Sequence, residues 1–329
     1  MANFLLVHGA WHGAWCWQRV LPGLIQAGHR AHAVTLTGVG ERAHLLRPDI
    51  DLETHIQDVM AAMDAEEMDD VVLVVHSYAG MLGTAVAARR PQRLQHLVYL
   101  DAVLPKPGES WSSTHASATR NARIAAAHAD PLNAFPAPDP SVFGLSDVDH
   151  AWVQRRQTPH PGGPYTQVLD FDPLQVARVP RTFINCSEPP LGTIDISRLR
   201  MQDPKFWEGA WLPGSQVIEM KTGHDPMVSD PLGRRGDARV VRPMAGHREG
   251  LQHRPDAADV VGVVVGQQHG HRPQAARGGF EYRRRVTRVD HDAVAVRARQ
   301  QPDVVVLECR QRDDFQRGGR VFGDFGQAG

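Results

Sequence analysis

The stretch Val71-Val-Leu-Val-Val-His-Ser-Tyr-Ala-Gly80 decides the fold class, because an apolar run ends abruptly on a serine among small residues. A continuous run of β-branched and aliphatic residues is typical of a buried parallel strand. The following residues, Met81 to Ala88, are Met, Leu, Ala and Val with small residues between them, and they predict a helix packed on the sheet. Ser77 would then lie in the sharp strand-to-helix turn that presents a nucleophile.

This turn departs from the usual Gly-x-Ser-x-Gly pattern, in which small residues let the strand and the helix approach each other. Val75 and Ala79 stand at the two glycine positions, and Gly80 comes one place later. Val75 is therefore expected to crowd the turn. An alternative is that Ser77 only caps the helix that follows an internal strand.

Bulk properties narrow the classes of partner. The chain has 329 residues and a formal net charge of −1, which gives no reason to expect nucleic acid or an anionic membrane as a partner. Its three cysteines, Cys16, Cys186 and Cys309, lie far apart, which argues against a disulfide framework or a thiolate zinc site. The chain has neither a basic signal-peptide start nor an apolar run of membrane-spanning length, so we expect a cytoplasmic protein.

Strand and helix patterns alternate over the first hundred residues, which predicts an α/β fold with a doubly wound, mostly parallel sheet. We expect a core at 1–104 and 179–230, interrupted at 105–178 by a small, mainly helical cap. Within the core, the patterns predict strands at 4–7, 32–36, 71–75, 97–100, 181–185 and 216–220, and helices at 15–27 and 52–63.

Residues 231–329 differ from the rest of the chain. They are rich in Arg, Gly and His, and they contain no lysine, no tryptophan and only three leucines. So few large aliphatic side chains hardly offset the entropy of ordering. We expect this tail to be disordered or to be translated from a shifted reading frame; acids among its arginines argue against a basic nucleic-acid arm.

A second chemical landmark follows the last strand pattern, where the chain reads Thr222-Gly-His-Asp-Pro226. A serine is a weak nucleophile at neutral pH and needs a base within hydrogen-bond reach. His224 would supply that base, because the carboxyl ends of neighbouring parallel strands meet at one edge of the sheet. The alternative is an ordinary loop histidine.

An ester's tetrahedral intermediate also needs two preorganised backbone donors. One would be the N–H of Tyr78, directly after the nucleophile. The other would come from the loop after the first strand, where His8-Gly9 opens a run of small residues, and we assign it to the N–H of Ala10. A simple strand-to-helix turn would use Gly9 equally well.

Together these motifs resemble the α/β-hydrolase superfamily, and more narrowly its branch of plant methylesterases, hydroxynitrile lyases and bacterial esterases of the pyrethroid-hydrolase type. The resemblance covers residues 1 to about 230 and implies the cap, a carboxylesterase activity on small-molecule esters through a Ser-His-acid triad, and no cofactor. It is carried by LVHGAWHGAW at 6–15, LTGVGER at 36–42, HSYAG at 76–80, LVYLDA at 97–102 and TGHDPMV at 222–228.

The acid of the triad stays open between three carboxylates. In the family it normally follows the strand that ends here at Asn185-Cys186, so Glu188 ranks first, one place from the expected position. Asp195 lies on the same loop. Asp101 ends the preceding core strand, where some superfamily members such as haloalkane dehalogenases place their acid.

Alternative functions remain at this stage. Hydroxynitrile lyases of this branch have a threonine in the first loop and a lysine after the histidine, whereas this chain has Ala10 and Asp225. A catalytically impaired small-molecule binder is another alternative, because the chain after His224 looks foreign.

A metal role is not expected of His8 and His12, since no convergent carboxylate accompanies them. A homodimer stays open.

The cap contains aromatic residues that would line an apolar substrate pocket or form the cap's own core. These are Trp111, Phe135, Phe143, Trp152 and Tyr165.

Overall fold

A computed structural model describes residues 1–231 in full and the backbone of strands at 239–242, 295–301 and 304–310. The chain forms two compact units, Met1–Gly270 and His271–Gly329. The first unit contains a seven-stranded sheet in the order β7-β6-β5-β4-β3-β1-β2, which is parallel except for the antiparallel edge strand β7. These strands are β1 (Asn3–Val7), β2 (Arg30–Val34), β3 (Val71–His76), β4 (Leu94–Leu100), β5 (Arg181–Cys186), β6 (Ser215–Met220) and β7 (Arg239–Arg242).

Helices follow the strands and cover the sheet. The core helices are α1 (Leu21–Gln26), α2 (Leu52–Ala65), α3 (Gly80–Arg89), α8 (Asp195–Arg200) and α9 (Pro226–Ser229). Strand β3 is buried along its whole length, as its unbroken apolar sequence predicts for a central strand. The α/β fold with a mostly parallel sheet is therefore confirmed.

The helix predicted at 15–27 is wrong in its extent. The structure has a 3₁₀ turn at Ala14–Trp17 and begins α1 only at Leu21. Pro22 explains the break, because proline lacks the backbone N–H that a helix interior requires and is tolerated only in the first turn.

Between β4 and β5 the chain forms an insertion with four helices, α4 (Ser117–Ala129), α5 (Asp147–Gln154), α6 (Gly163–Thr166) and α7 (Pro173–Ala177). It also contains two short antiparallel ladders that the sequence pattern does not predict. They pair Glu109–Ser110 with Val168–Leu169, and Ala134–Phe135 with His160–Pro161.

Three strands lie in the tail for which disorder or a shifted frame was expected. Strand β7 joins the sheet beside β6, and the second unit contains a hairpin of β8 (Ala295–Gln301) and β9 (Val304–Arg310). The rest of the tail lies outside the described residues, so the expectation for 231–329 stays a prediction there.

Candidate active site

Ser77 lies directly after β3 with a backbone φ of +56°, in the left-handed region that side chains rarely adopt. The turn leads into α3, which begins at Gly80. A Cβ atom at Gly80 would collide with the backbone carbonyl of Val103, so this position requires glycine. The strained turn is the geometry of a nucleophile elbow.

Val75 fits into this elbow because a glycine faces it from α3. A Cβ atom at Gly83 would lie 2.8 Å from Cγ1 of Val75, too close for ordinary contact. Val75 is fully buried. The crowding expected from Val75 is thus relieved because Gly83, in the first turn of α3, has no side chain.

His224 lies between Ser77 and a carboxylate. Its Nε2 is 2.9 Å from Ser77 Oγ, and its Nδ1 is 2.7 Å from Asp101 Oδ2. Because an ionised carboxylate only accepts hydrogen bonds, Nδ1 carries the proton and Nε2 accepts from the serine hydroxyl. The three residues come from the ends of β3, β4 and β6, where the parallel strands share one edge.

Of the three candidate acids, the structure brings only Asp101 to the histidine. Asp101 is completely buried, whereas Glu188 is exposed beyond β5 and the Asp195 side chain is 67% exposed on α8. The first rank given to Glu188 does not match this geometry. The physical reason is that the chain after Cys186 turns outward, and the carboxylate at the end of β4 already occupies Nδ1 of His224.

A cation also contacts the buried carboxylate of Asp101. The guanidinium of Arg198 donates to both oxygens of Asp101, at 2.9 and 3.2 Å, and to the side-chain oxygen of Asn185 at 2.8 Å. The N–H of Cys186 also points at Asp101 Oδ1, at 3.4 Å. Sequence reasoning missed Arg198, because nothing in the pattern of a short helix 97 residues away links it to Asp101.

The loop after β1 lies against Ser77. A Cβ atom at Gly9 would be 2.8 Å from Cβ of Ser77, so only glycine allows this approach. Two histidines hold the loop's carbonyl groups: His8 Nδ1 donates to Gly9 O at 2.6 Å, and His12 Nδ1 donates to Ala10 O at 2.7 Å. The Ala10 peptide is thereby fixed beside Ser77.

His12 also forms a buried ion pair with Asp225, the residue after His224. Their side chains are 3.0 Å apart and almost fully excluded from solvent. Burial raises the pKa of Asp225, but His12 outweighs it and lowers that pKa to about 2. Burial likewise lowers the pKa of His12, and the charge of Asp225 outweighs it, so the net direction is upward. No local pattern in the sequence points to this pair.

His76, His224 and Asp225 offer donor atoms within 4.8 Å of one another, a spacing that would suit a metal ion. However, both ring nitrogens of His224 are engaged by Ser77 and Asp101. Nε2 of His76 donates to the backbone carbonyl of His224 at 2.8 Å. A metal at this place would have to break the hydrogen-bond chain to the serine.

The aromatic residues of the cap pack over this site together with two residues of the core. The Trp111 ring lies 4.7 Å from Tyr78, and the Phe143 ring lies 5.7 Å from His224. Trp152 instead packs against Trp15, at 5.1 Å. Trp111, Phe135 and Tyr165 also contact one another, so these residues serve as cap core and as the roof of the site.

Within the part of the chain that the structure describes, no helix combines the length and the apolar character needed to cross a membrane.

Comparisons with known proteins place this chain in a family. Residues 4–258 match the alpha/beta hydrolase family. The carbendazim hydrolyzing esterase of Nocardioides sp. (strain SG-4G) is 39% identical over 239 residues, which cover 70% of this chain and 96% of that protein. Methylesterase 9 of Arabidopsis thaliana is 27% identical over 249 residues, covering 70% and 94%.

Solved structures show the same fold. An extracellular alpha/beta-hydrolase from a Paenibacillus species superposes with a TM-score of 0.57 at 20% identity, over 68% of this chain and 91% of that one. The methylesterase MES16 from Arabidopsis gives a TM-score of 0.53 at 21% identity, over 70% and 94%. From the matched family and these esterase relatives, the chain belongs to the alpha/beta hydrolase family and is an esterase-type, carboxylesterase-like hydrolase.

Proposed function

We propose that the protein cleaves carboxylic esters of small, largely apolar substrates through a Ser77-His224-Asp101 triad and an acyl-enzyme intermediate. The observation that carries the proposal is the continuous hydrogen-bond chain from Asp101 through His224 to Ser77, at 2.7 and 2.9 Å. This arrangement activates a serine in enzymes of several unrelated folds.

In the first half of the reaction, Ser77 Oγ attacks the ester carbonyl while Nε2 of His224 takes its proton. Asp101 holds Nδ1–H and stabilises the imidazolium that forms. The C–O bond to the alcohol then breaks, and Nε2–H returns the proton to the leaving oxygen. In the second half a water molecule attacks the acyl-enzyme with the same two proton transfers in the same order, which releases the acid and restores Ser77.

The negative oxygen of each tetrahedral intermediate would be stabilised by the N–H groups of Ala10 and Tyr78. Support comes from the close approach of Gly9 to Ser77 and from the hydrogen bond of His8 to the Gly9 carbonyl, which belongs to the same peptide group as the Ala10 N–H. Fixed donors of this kind act without reorganisation during the reaction. The role of Ala10 can be tested with Gly9→Ala, which would push the loop away from Ser77.

We propose small and largely apolar substrates because aromatic side chains surround the proposed nucleophile. Trp11, Trp111 and Phe143 are all buried, and they lie within ring contact of one another or of His224. The similarity to the Nocardioides esterase makes carbendazim one substrate worth testing.

The experiment is hydrolysis of p-nitrophenyl acetate and butyrate by the wild type and by Ser77→Ala. We expect turnover by the wild type and at least a ~10³-fold loss in the variant. A p-nitrophenyl phosphonate ester should transfer its phosphonyl group to Ser77 with release of p-nitrophenol, so the mass of that group should appear on the peptide containing Ser77 in the wild type alone. Turnover that survives Ser77→Ala would refute the mechanism, and release of cyanide from mandelonitrile without ester hydrolysis would identify a lyase instead.

A further inference from the structure

A partly buried cation lies in the roof of the site, at Arg123 on α4. Its guanidinium carbon is 5.0 Å from the ring centre of Trp11 and 5.6 Å from that of Trp111. In the described part of the chain no carboxylate pairs with it. Its polar contacts are neutral: Arg123 donates to Nδ1 of His115 at 3.3 Å and hydrogen-bonds to Tyr165. Burial together with Arg123 lowers the pKa of His115 to about 3.

A second donor faces the same rings. His160 is fully buried, and its Nδ1 accepts from the backbone N–H of Trp11 at 3.4 Å. Nε2 therefore carries the proton, and among the described residues it has no hydrogen-bond partner. The indole N–H of Trp11 is buried and without a described partner as well.

These donors adjoin the nucleophile. The His160 ring is 5.0 Å from Tyr78, the residue directly after Ser77, and 5.6 Å from both Trp111 and Phe135. Arg123 lies over those same two rings. The cluster thus offers a cation and two buried N–H groups that have no partner among the described residues, and buried donors without partners are costly. It is suited to an oxygen acceptor supplied by a ligand.

We propose that Arg123 and His160 form a subsite for a second carbonyl oxygen of the substrate, either a neutral carbonyl or a carboxylate, located a few bonds from the ester that is cleaved. This inference rests on the proposed function and makes it more specific. The preferred esters are largely apolar but carry one acceptor group at the far end, which the ring-lined roof would bury against Arg123.

The test compares three p-nitrophenyl esters of similar length: the hexanoate, the monoester of glutaric acid and the methyl ester of that monoester. We expect the wild type to favour at least one of the two glutarate esters. Arg123→Met should lower kcat/KM for the favoured ester by about 10-fold or more, and for the hexanoate by less than about threefold. His160→Phe keeps an aromatic ring but removes the N–H donor, and it should also lower kcat/KM for the favoured ester. Arg155→Met, at an exposed position directly after α5, controls for the change in net charge.

A second measurement tests binding of the ester in the absence of hydrolysis. Calorimetry should show the favoured glutarate ester binding to Ser77→Ala, and about 10-fold more weakly when Arg123→Met is added. If this binding depends on Arg123 while the wild type hydrolyses no ester, the subsite stands and the proposed function fails. An equal loss on all three esters, no preference in the wild type, or binding unaffected by Arg123→Met would overturn the subsite.

Discussion

Replacing Asp101 by asparagine tests which carboxylate completes the triad. Asparagine has the same shape and, like aspartate, tolerates the left-handed backbone of this position, where φ is +41°. It cannot hold Nδ1–H of His224 as a carboxylate does, nor balance the imidazolium that forms during attack. Losses of kcat from such a change are about 10³- to 10⁴-fold, which corresponds to about 4–5.5 kcal/mol of transition-state stabilisation.

The same substitution also removes the ionic partner of Arg198, so stability has to be measured separately. Breaking a buried ion pair costs about 3–5 kcal/mol when the remaining charge has no other partner. Arg198 keeps the side-chain oxygen of Asn185, the carbonyl of Leu191 and the carboxylate of Asp195. We therefore expect a smaller loss of unfolding free energy, about 1–3 kcal/mol.

The assay is kcat on p-nitrophenyl butyrate, measured well below the melting temperature that circular dichroism gives for each variant. Glu188→Gln and Asp195→Asn are the matched controls, because both side chains are exposed. Each control should retain activity within about twofold, as expected of an exposed position. The assignment fails if folded Asp101→Asn keeps more than about a tenth of wild-type activity, or if Glu188→Gln shows the large loss instead.

Two further predictions concern stability. Gly83→Ala should lower the unfolding free energy by about 1–3 kcal/mol, because the added methyl group would press on Val75. Adding Val75→Ala should recover part of this loss when both variants are measured by chemical denaturation. Strictly additive effects of the two substitutions would contradict the proposed contact. The ion pair of His12 and Asp225 predicts a pH window. The lowered pKa of Asp225 contributes stability above the unfolded value of about 3.9 that is lost as pH falls through about 2. The raised pKa of His12 contributes stability below about 6.5 that is lost as pH rises through its folded value. Thermal melts of wild type and Asp225→Asn should therefore differ most at about pH 4–6.5, and a difference independent of pH would argue against a charged pair.

The proposed nucleophile and base could be predicted because each follows a strand that the sequence marks clearly. Ser77 comes directly after the mostly apolar strand β3, and His224 follows β6 in a Gly-His pair. Parallel strands then bring both side chains to one edge of the sheet. The apolar pattern is enough to place these two residues, because it identifies where the strands end. The paths of the loops are not needed for this prediction.

The acid could not be predicted in the same way. Three carboxylates follow β4 or β5, and which of them reaches His224 depends on the path of each loop and on burial. Asp101 is selected because it turns inward immediately after β4, whereas Glu188 turns outward after β5. Contacts between distant residues, such as Arg198 with Asp101 or His12 with Asp225, leave no local pattern at all.

The left-handed backbone at Ser77 has a consequence for how this protein would respond to selection. A non-glycine residue in such a conformation costs on the order of 1–3 kcal/mol, which the surrounding packing must supply. Glycine at position 77 would relieve this strain and remove the proposed nucleophile. A library selected only for heat resistance should therefore accumulate chains that have glycine at 77 and have lost the proposed activity, so that durability and turnover compete at one backbone position.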